Sequence, residues 1–264
     1  MARPLILAVL GLSLVAGCTV GDTGGGGSGS PDASPAADGA AGGDDAPGAV
    51  PRLDVTIDKP TITTELMTTN MLTVTLTSAN GFTGSVSLTA SVVDAQGQPL
   101  AAWPVTLSAA SLSVAANASA SSVATLTIPS ENRGLAGTVK IEATSSAGTQ
   151  SVTSAVTALN QLTFGVTLNN GQCEYPSAGN TNVTYGTKVR FLNKANTNIT
   201  IHVDDGGPYG VPHQPDPGSA PDTAYEKVVT EPTQTPTVQQ FSWYCHQPGP
   251  NVGKTRVLKP VPAT

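Results

Sequence analysis

Five side chains able to act as soft ligands, His202, His213, His246, Cys173 and Cys245, all lie beyond position 160 of this 264-residue chain. No other histidine occurs, and the one remaining cysteine is Cys18. Imidazole nitrogen and thiolate sulfur together suit copper, whereas two thiols in an oxidising compartment pair as a disulfide. In Phe241-Ser242-Trp243-Tyr244-Cys245 the two-residue strand period puts Phe241, Trp243 and Cys245 on one face, so Cys245 ends a core-facing row. Ile199, Ile201 and Val203 flank and alternate with His202, which falls on the polar face unless a bulge intervenes. His213 sits in a Pro-rich loop, where an exposed imidazole is common. The chain has no H-E-x-x-H, C-x-x-C or G-x-S-x-G pattern and no Gly-rich loop at a strand-to-helix junction, so an enzyme is not expected.

The elements that must position these residues are strands. Charged residues make up 11% of the chain and aromatics 4%, and 28 Gly and 21 Pro punctuate short runs of Thr, Val, Ser and Ala. That pattern predicts an all-β protein. The length beyond position 52 fits two tandem β-sandwiches of about 100 residues each. The first, 53–159, has strand-like runs at Leu53–Ile57, Leu72–Thr77, Ser85–Val92, Val123–Ile128, Val139–Ala143 and Ser151–Thr157. It holds no His or Cys. Its Asn80-Gly-Phe-Thr-Gly-Ser-Val-Ser-Leu stretch resembles bacterial Ig-like repeats of envelope proteins, which implies a spacer or adhesion module. The second, 160–264, has seven such runs, at Leu162–Leu168, Asn182–Tyr185, Lys188–Leu192, Ile199–Val203, Tyr225–Val229, Val238–Tyr244 and Lys254–Leu258, enough for a Greek-key sandwich.

Two motifs in this second region occur in a telling order. Tyr185-Gly-Thr-Lys-Val-Arg-Phe-Leu-Asn193, followed nine residues later by His202, resembles the strand pair leading to the first histidine ligand of plastocyanin-like cupredoxins. Phe241 to Cys245, then His246-Gln-Pro-Gly-Pro-Asn251 and Val252-Gly-Lys254, resembles their metal loop. The resemblance implies a cupredoxin-like domain with one type 1-like copper ion, ligands His202, Cys245 and His246, and one-electron transfer to an unidentified redox partner. Two departures keep other ligand sets open. The usual loop separates Cys from His by two residues, and here they are adjacent. The family's axial Met falls at Asn251, which leaves Gln247, Asn251 or a backbone oxygen for the weak position, and His213 for a missing imidazole. A copper carrier or sensor is one alternative. The other is a metal-free interaction module in which Cys173 and Cys245 are bridged.

The amino-terminal 18 residues read as an export signal. Arg3 precedes a 12-residue apolar run, Leu5 to Ala16, which is too short to span a bilayer. Leu14-Val-Ala-Gly-Cys18 resembles a bacterial lipobox, which implies an acylated Cys18, anchorage in the lipid bilayer and residence in the cell envelope. Thr19 is compatible with the outer membrane. Residues 19–52, rich in Gly, Ser, Ala, Asp and Pro, cannot bury enough apolar surface to order themselves, and predict a disordered tether with a reach of roughly 30 Å. The formal charge of −6 is distributed as −4 over 19–52, −3 over 53–159 and zero over 160–264, with Arg3 adding +1. No basic stripe exists, and nucleic acid is not an expected partner.

Overall fold

A computed structural model describes residues 48–175, 180–235, 239–246 and 256–262. The expected signal peptide, acylated Cys18 and residues 19–47 of the expected tether, together with Gln247 and Asn251, lie outside the described residues; at the tether's expected end, Arg52 instead opens the first strand. In chain order the strands are β1 (Arg52–Ile57), β2 (Thr61–Glu65), β3 (Thr69–Ala79), β4 (Gly84–Val93), β5 (Val105–Leu107), β6 (Ser111–Val114), β7 (Ser119–Thr127), β8 (Ala136–Ser145) and β9 (Gly148–Leu159). They continue with β10 (Gln161–Asn169), β11 (Gln172–Glu174), β12 (Asn180–Thr184), β13 (Lys188–Asn193), β14 (Thr200–Asp204), β15 (Ala224–Val228), β16 (Phe241–His246) and β17 (Arg256–Val261). A single 3-10 turn, Gly207–Tyr209, is the one helical element among the described residues.

The protein is all-β, built as two tandem β-sandwiches. In the first, sheet β1-β3-β7-β5 faces sheet β2-β9-β8-β4-β6. Alternation drives the pairing: on β3, Leu72, Val74 and Leu76 are fully buried while Thr73, Thr75 and Thr77 point outward. Val86 and Leu88 of β4, Leu126 of β7 and Val139 and Ile141 of β8 complete the layer between the sheets, and Trp103 and Phe82 are buried with them. The short strands β2, β5 and β6 have too little alternation to be predicted from sequence. β2 pairs parallel with β9, and that pairing fixes it.

The second sandwich packs sheet β11-β10-β13-β15 against sheet β12-β17-β16-β14. Its centre is aromatic. Trp243 meets Phe164 at 5.2 Å, Phe191 at 4.6 Å and Tyr175 at 4.5 Å between ring centroids, the last two edge-on. Asn170-Gly171 closes the β10–β11 hairpin with positive φ at both residues, 52° and 75°. That geometry suits a tight two-residue turn, and Asn and Gly tolerate it best. β11 thereby returns beside β10 with Cys173 opposite Leu168.

Candidate functional site

Cys173 and Cys245 are joined by a disulfide, with their Cα atoms 6.0 Å apart and a sequence separation of 72. The bridge ties β11 of one sheet to β16 of the other, so it is an inter-sheet staple, and Trp243 packs in the same layer. Phe241, Trp243 and Cys245 are all buried, in the row that their spacing predicts. The backbone N–H of Cys245 donates to the Tyr175 Oη at 2.5 Å. Burial pushes the Tyr175 phenol up to about 12, against the opposing effects of that hydrogen bond and of the Arg256 guanidinium. Arg256 lies 5.2 Å from the Tyr175 ring centre. Cys173, Glu174, Tyr175 and Arg256 line a hollow of about 240 Å³ beside the bridge.

The structure does not bring His202 together with Cys245. In the β14–β16 register Ile201 faces Cys245 and His202 faces Tyr244. Residues directly opposed in an antiparallel pair share a face, so the imidazole and the sulfur point to opposite sides of one sheet. A bridged sulfur also carries no thiolate. Among the described side chains, His202 and Cys245 are therefore not placed as the three-ligand copper centre implied by the cupredoxin resemblance requires. On sequence grounds, adjacent Cys and His can share a metal only if the strand ends at Cys245. Instead β16 runs on through His246, which takes its place opposite Thr200. Among the described residues, no group of three or more His, Cys, Asp or Glu is arranged to hold a metal ion.

The outer face of the β14–β16 pair gathers different residues. His202 stacks on Tyr244, ring centres 4.6 Å apart and 21° from parallel. His213 approaches from the loop, its ring edge-on to that of His202 with centres 4.3 Å apart. Gln214 accounts for that approach. β14 is an edge strand, and the loop closes its open side: the Gln214 backbone N–H donates to the Ile201 carbonyl at 3.1 Å, and the Ile201 N–H donates to Gln214 Oε1 at 2.9 Å. Gln214 Nε2 in turn donates to Ser219 Oγ at 2.8 Å. Further along, Ile199 and Ser219 exchange both backbone hydrogen bonds, and Thr200 Oγ1 donates to Asp216 Oδ1 at 2.8 Å. Gly218, at φ 79°, lies so close to the Ile199 carbonyl that a Cβ there would meet its oxygen at 2.1 Å. On the other side of His213, the Tyr225 hydroxyl donates to the Pro212 carbonyl at 2.6 Å. His213 is thus held between two anchored neighbours. Sequence reasoning missed Gln214 and Tyr175, whose roles depend on partners distant in the chain. The Asn170-Gly171 pair is a signal that could have placed Cys173 on a returning strand.

No family model and no curated protein matches the chain. Domains 4 and 5 of the S-layer protein SbsC are similar to it at 16% identity and a TM-score of 0.30, over 42% of this chain and 54% of that one. A tandem pair of titin Ig domains is similar at 11% identity and a TM-score of 0.27, over 81% and 100%. The E. coli chaperone DraB is similar at 9% identity and a TM-score of 0.30, over 79% and 97%. The chain matches about half the length of the SbsC fragment.

Proposed function

We propose that this chain is an exported, lipid-anchored interaction module of the cell envelope: tandem β-sandwiches on a flexible tether, the second cupredoxin-like in its motifs and closed by a structural disulfide. The observation that carries this reading is the Cys173–Cys245 bridge, which uses in packing the one sulfur that an electron-carrying copper site requires. A bridge of this kind belongs to oxidising compartments, in keeping with the export signal and lipobox at positions 1–18. The hydrogen-bonded closure of the β14 edge suits a folded unit displayed outside the cell, because an open edge strand invites pairing with other chains.

Thiol titration of the full chain, denatured without reductant, tests the reading. Cys173 and Cys245 should both be unreactive, and added Cu(II) should give no intense thiolate-to-copper band in the visible. A free Cys245 together with such a band, lost in Cys245→Ser, would overturn this proposal and restore one-electron copper transfer in its place.

A further inference from the structure

We infer that the outer edge of β9 over positions 148–154 pairs with the same edge of a second copy of this chain, antiparallel and centred on Ser151. The directions of the backbone hydrogen bonds carry the argument. β9 pairs with β8 one residue against one, from Gly148 opposite Ser145 to Thr157 opposite Ala136. Its other side is taken by β2 only over positions 155–159. There the Ala155 N–H points away from β8 and donates to the Pro60 carbonyl at 2.9 Å. Backbone groups alternate sides along an antiparallel strand, so those of Thr149, Ser151 and Thr153 point the same way as those of Ala155. Among the described residues no strand pairs with them there, since β1 belongs to the facing sheet. Residues 148–151 and Thr153 are exposed.

This edge lacks the devices that blunt other open edges: charge, Pro, a bulge, shortness or a covering loop. β14 is covered by the loop through Gln214 and Ser219, β15 carries Glu226 and Lys227, and β5 and β6 have three and four residues. Gly148–Leu159 has no charged residue and no Pro, and its register with β8 is unbroken. A second copy suits it by the strand's own pattern. Antiparallel pairing about Ser151 sets Thr149 opposite Thr153 and Gln150 opposite the half-buried Val152, with no like charges opposed. The hydroxyl pairs so formed are of the kind that Thr144 and Thr149 already make at 3.1 Å. Both copies present the same patch, so the contact closes as a two-fold dimer. Val50 and Pro51 line a hollow with Ser146 and Ala147 of the β8–β9 turn, so the chain enters the sandwich near the axis. Leu159, beyond which the second sandwich begins, is eight residues past Ser151, about 27 Å at the usual strand rise. The two second sandwiches therefore stand at opposite ends of the dimer, while both amino-terminal entries lie near its middle, where one membrane can hold both copies. Residues 19–47, rich in Gly and Asp, have low strand propensity and are the weaker occupant. The inference deepens the interaction-module reading, on which it rests for the anchor, by making a second copy the partner.

The test is sedimentation equilibrium of the full chain carrying Cys18→Ser, so that acylation cannot itself gather copies. A reversible monomer–dimer equilibrium is expected, with no larger species. Ser151→Pro should lose the dimer yet keep the unfolding midpoint of the monomeric wild type, because the Ser151 N–H points away from β8 and Pro is tolerated on an outer edge. Ser151→Lys and Ser151→Glu should each lose the dimer alone, since like charges then meet at the axis, and an equimolar mixture of the two should regain it. Should these variants not fold, hydrogen exchange of the wild type decides: the amides of Thr149, Ser151 and Thr153 must slow together as rising concentration forms the dimer. A chain that stays monomeric up to about 1 mM overturns the inference, whether the edge is open or residues 19–47 cover it. So does a dimer that survives Ser151→Pro, or a mixture of the two charged variants that stays monomeric. None of these results touches the bridged module if Cys173 and Cys245 remain unreactive, whereas a free Cys245 refutes the module whatever the dimer does.

Discussion

Gln214 does at residue scale what a neighbouring strand does elsewhere. Its backbone and side chain together satisfy both the N–H and the C=O of Ile201 on the open side of β14, and its amide reaches Ser219 as well. Gln214→Ala leaves the buried Ile201 N–H without an acceptor, at an expected cost of about 3 kcal/mol, readable as a lower urea midpoint with the slope unchanged. Tyr175 makes a second prediction. Its folded pKa, about 12, stands above the ordinary phenol value of 10.0, so the proton is held more tightly in the folded than in the unfolded chain. The stability this contributes is fully present below about pH 10 and is lost as the pH rises towards about 12. Tyr175→Phe, which cannot ionise, should be the less stable protein at neutral pH and should lose less stability than wild type over that alkaline window. Parallel pH profiles for the two proteins would sink the assignment. Neither role was legible in sequence. A Gln between His and Pro in an irregular loop carries no periodic signal, and the partner of Tyr175 lies 70 residues away.

At the scale of elements, alternation was legible wherever one strand face is buried. The Phe241, Trp243 and Cys245 row and the outward placing of His202 both follow from it, and both hold in the structure. The way the two strands combine was not legible, because a face is a property of one strand and a site is a property of a register. Pairing Ile201 with Cys245 moves His202 to the far side of the sheet, and no single-strand pattern contains that information. Nor does β11, three residues long, announce itself, although the Asn-Gly turn before it dictates where Cys173 goes. The bridge it enables closes a 72-residue separation. On chain-entropy grounds that constraint on the unfolded state is worth about 4 kcal/mol. Cys173→Ala/Cys245→Ala should therefore lower the stability of the full chain by about that amount. Reductant should lower the wild type comparably and leave the double variant unmoved. A double variant as stable as wild type would mean that the aromatic layer around Trp243 alone holds the two sheets together.

Across the whole described molecule, the junction between the sandwiches is short and polar. β9 ends at Leu159 and β10 begins at Gln161, so Asn160 is the only residue between them. Asn160 is clamped: its side chain accepts from Thr187 Oγ1 at 2.8 Å and donates to the Gly186 carbonyl at 3.1 Å, while its own carbonyl accepts from the Lys188 N–H. Across the gap, Glu65 accepts from Gln161 Nε2 at 2.6 Å and lies 3.8 Å from the Arg190 guanidinium, and Glu131 accepts from Asn182 Nδ2 at 2.7 Å. The Asn132 N–H donates to Thr184 Oγ1 at 2.8 Å. Each such contact is partly exposed and weak in free energy, about 1 kcal/mol or less for an ion pair of this kind, and the expectation is that acting together they restrict the relative motion of the two sandwiches. The consequence separates stability from rigidity. Glu65→Ala/Glu131→Ala should cost little in a urea titration, because both hydrophobic cores are left intact. It should nonetheless change ¹⁵N relaxation, from one shared tumbling time in the wild type to two distinct times, with the added motion hinged at Asn160. Two tumbling times already present in the wild type would show that the clamp does not hold in solution. Asn160 would then be a flexible link between the two sandwiches.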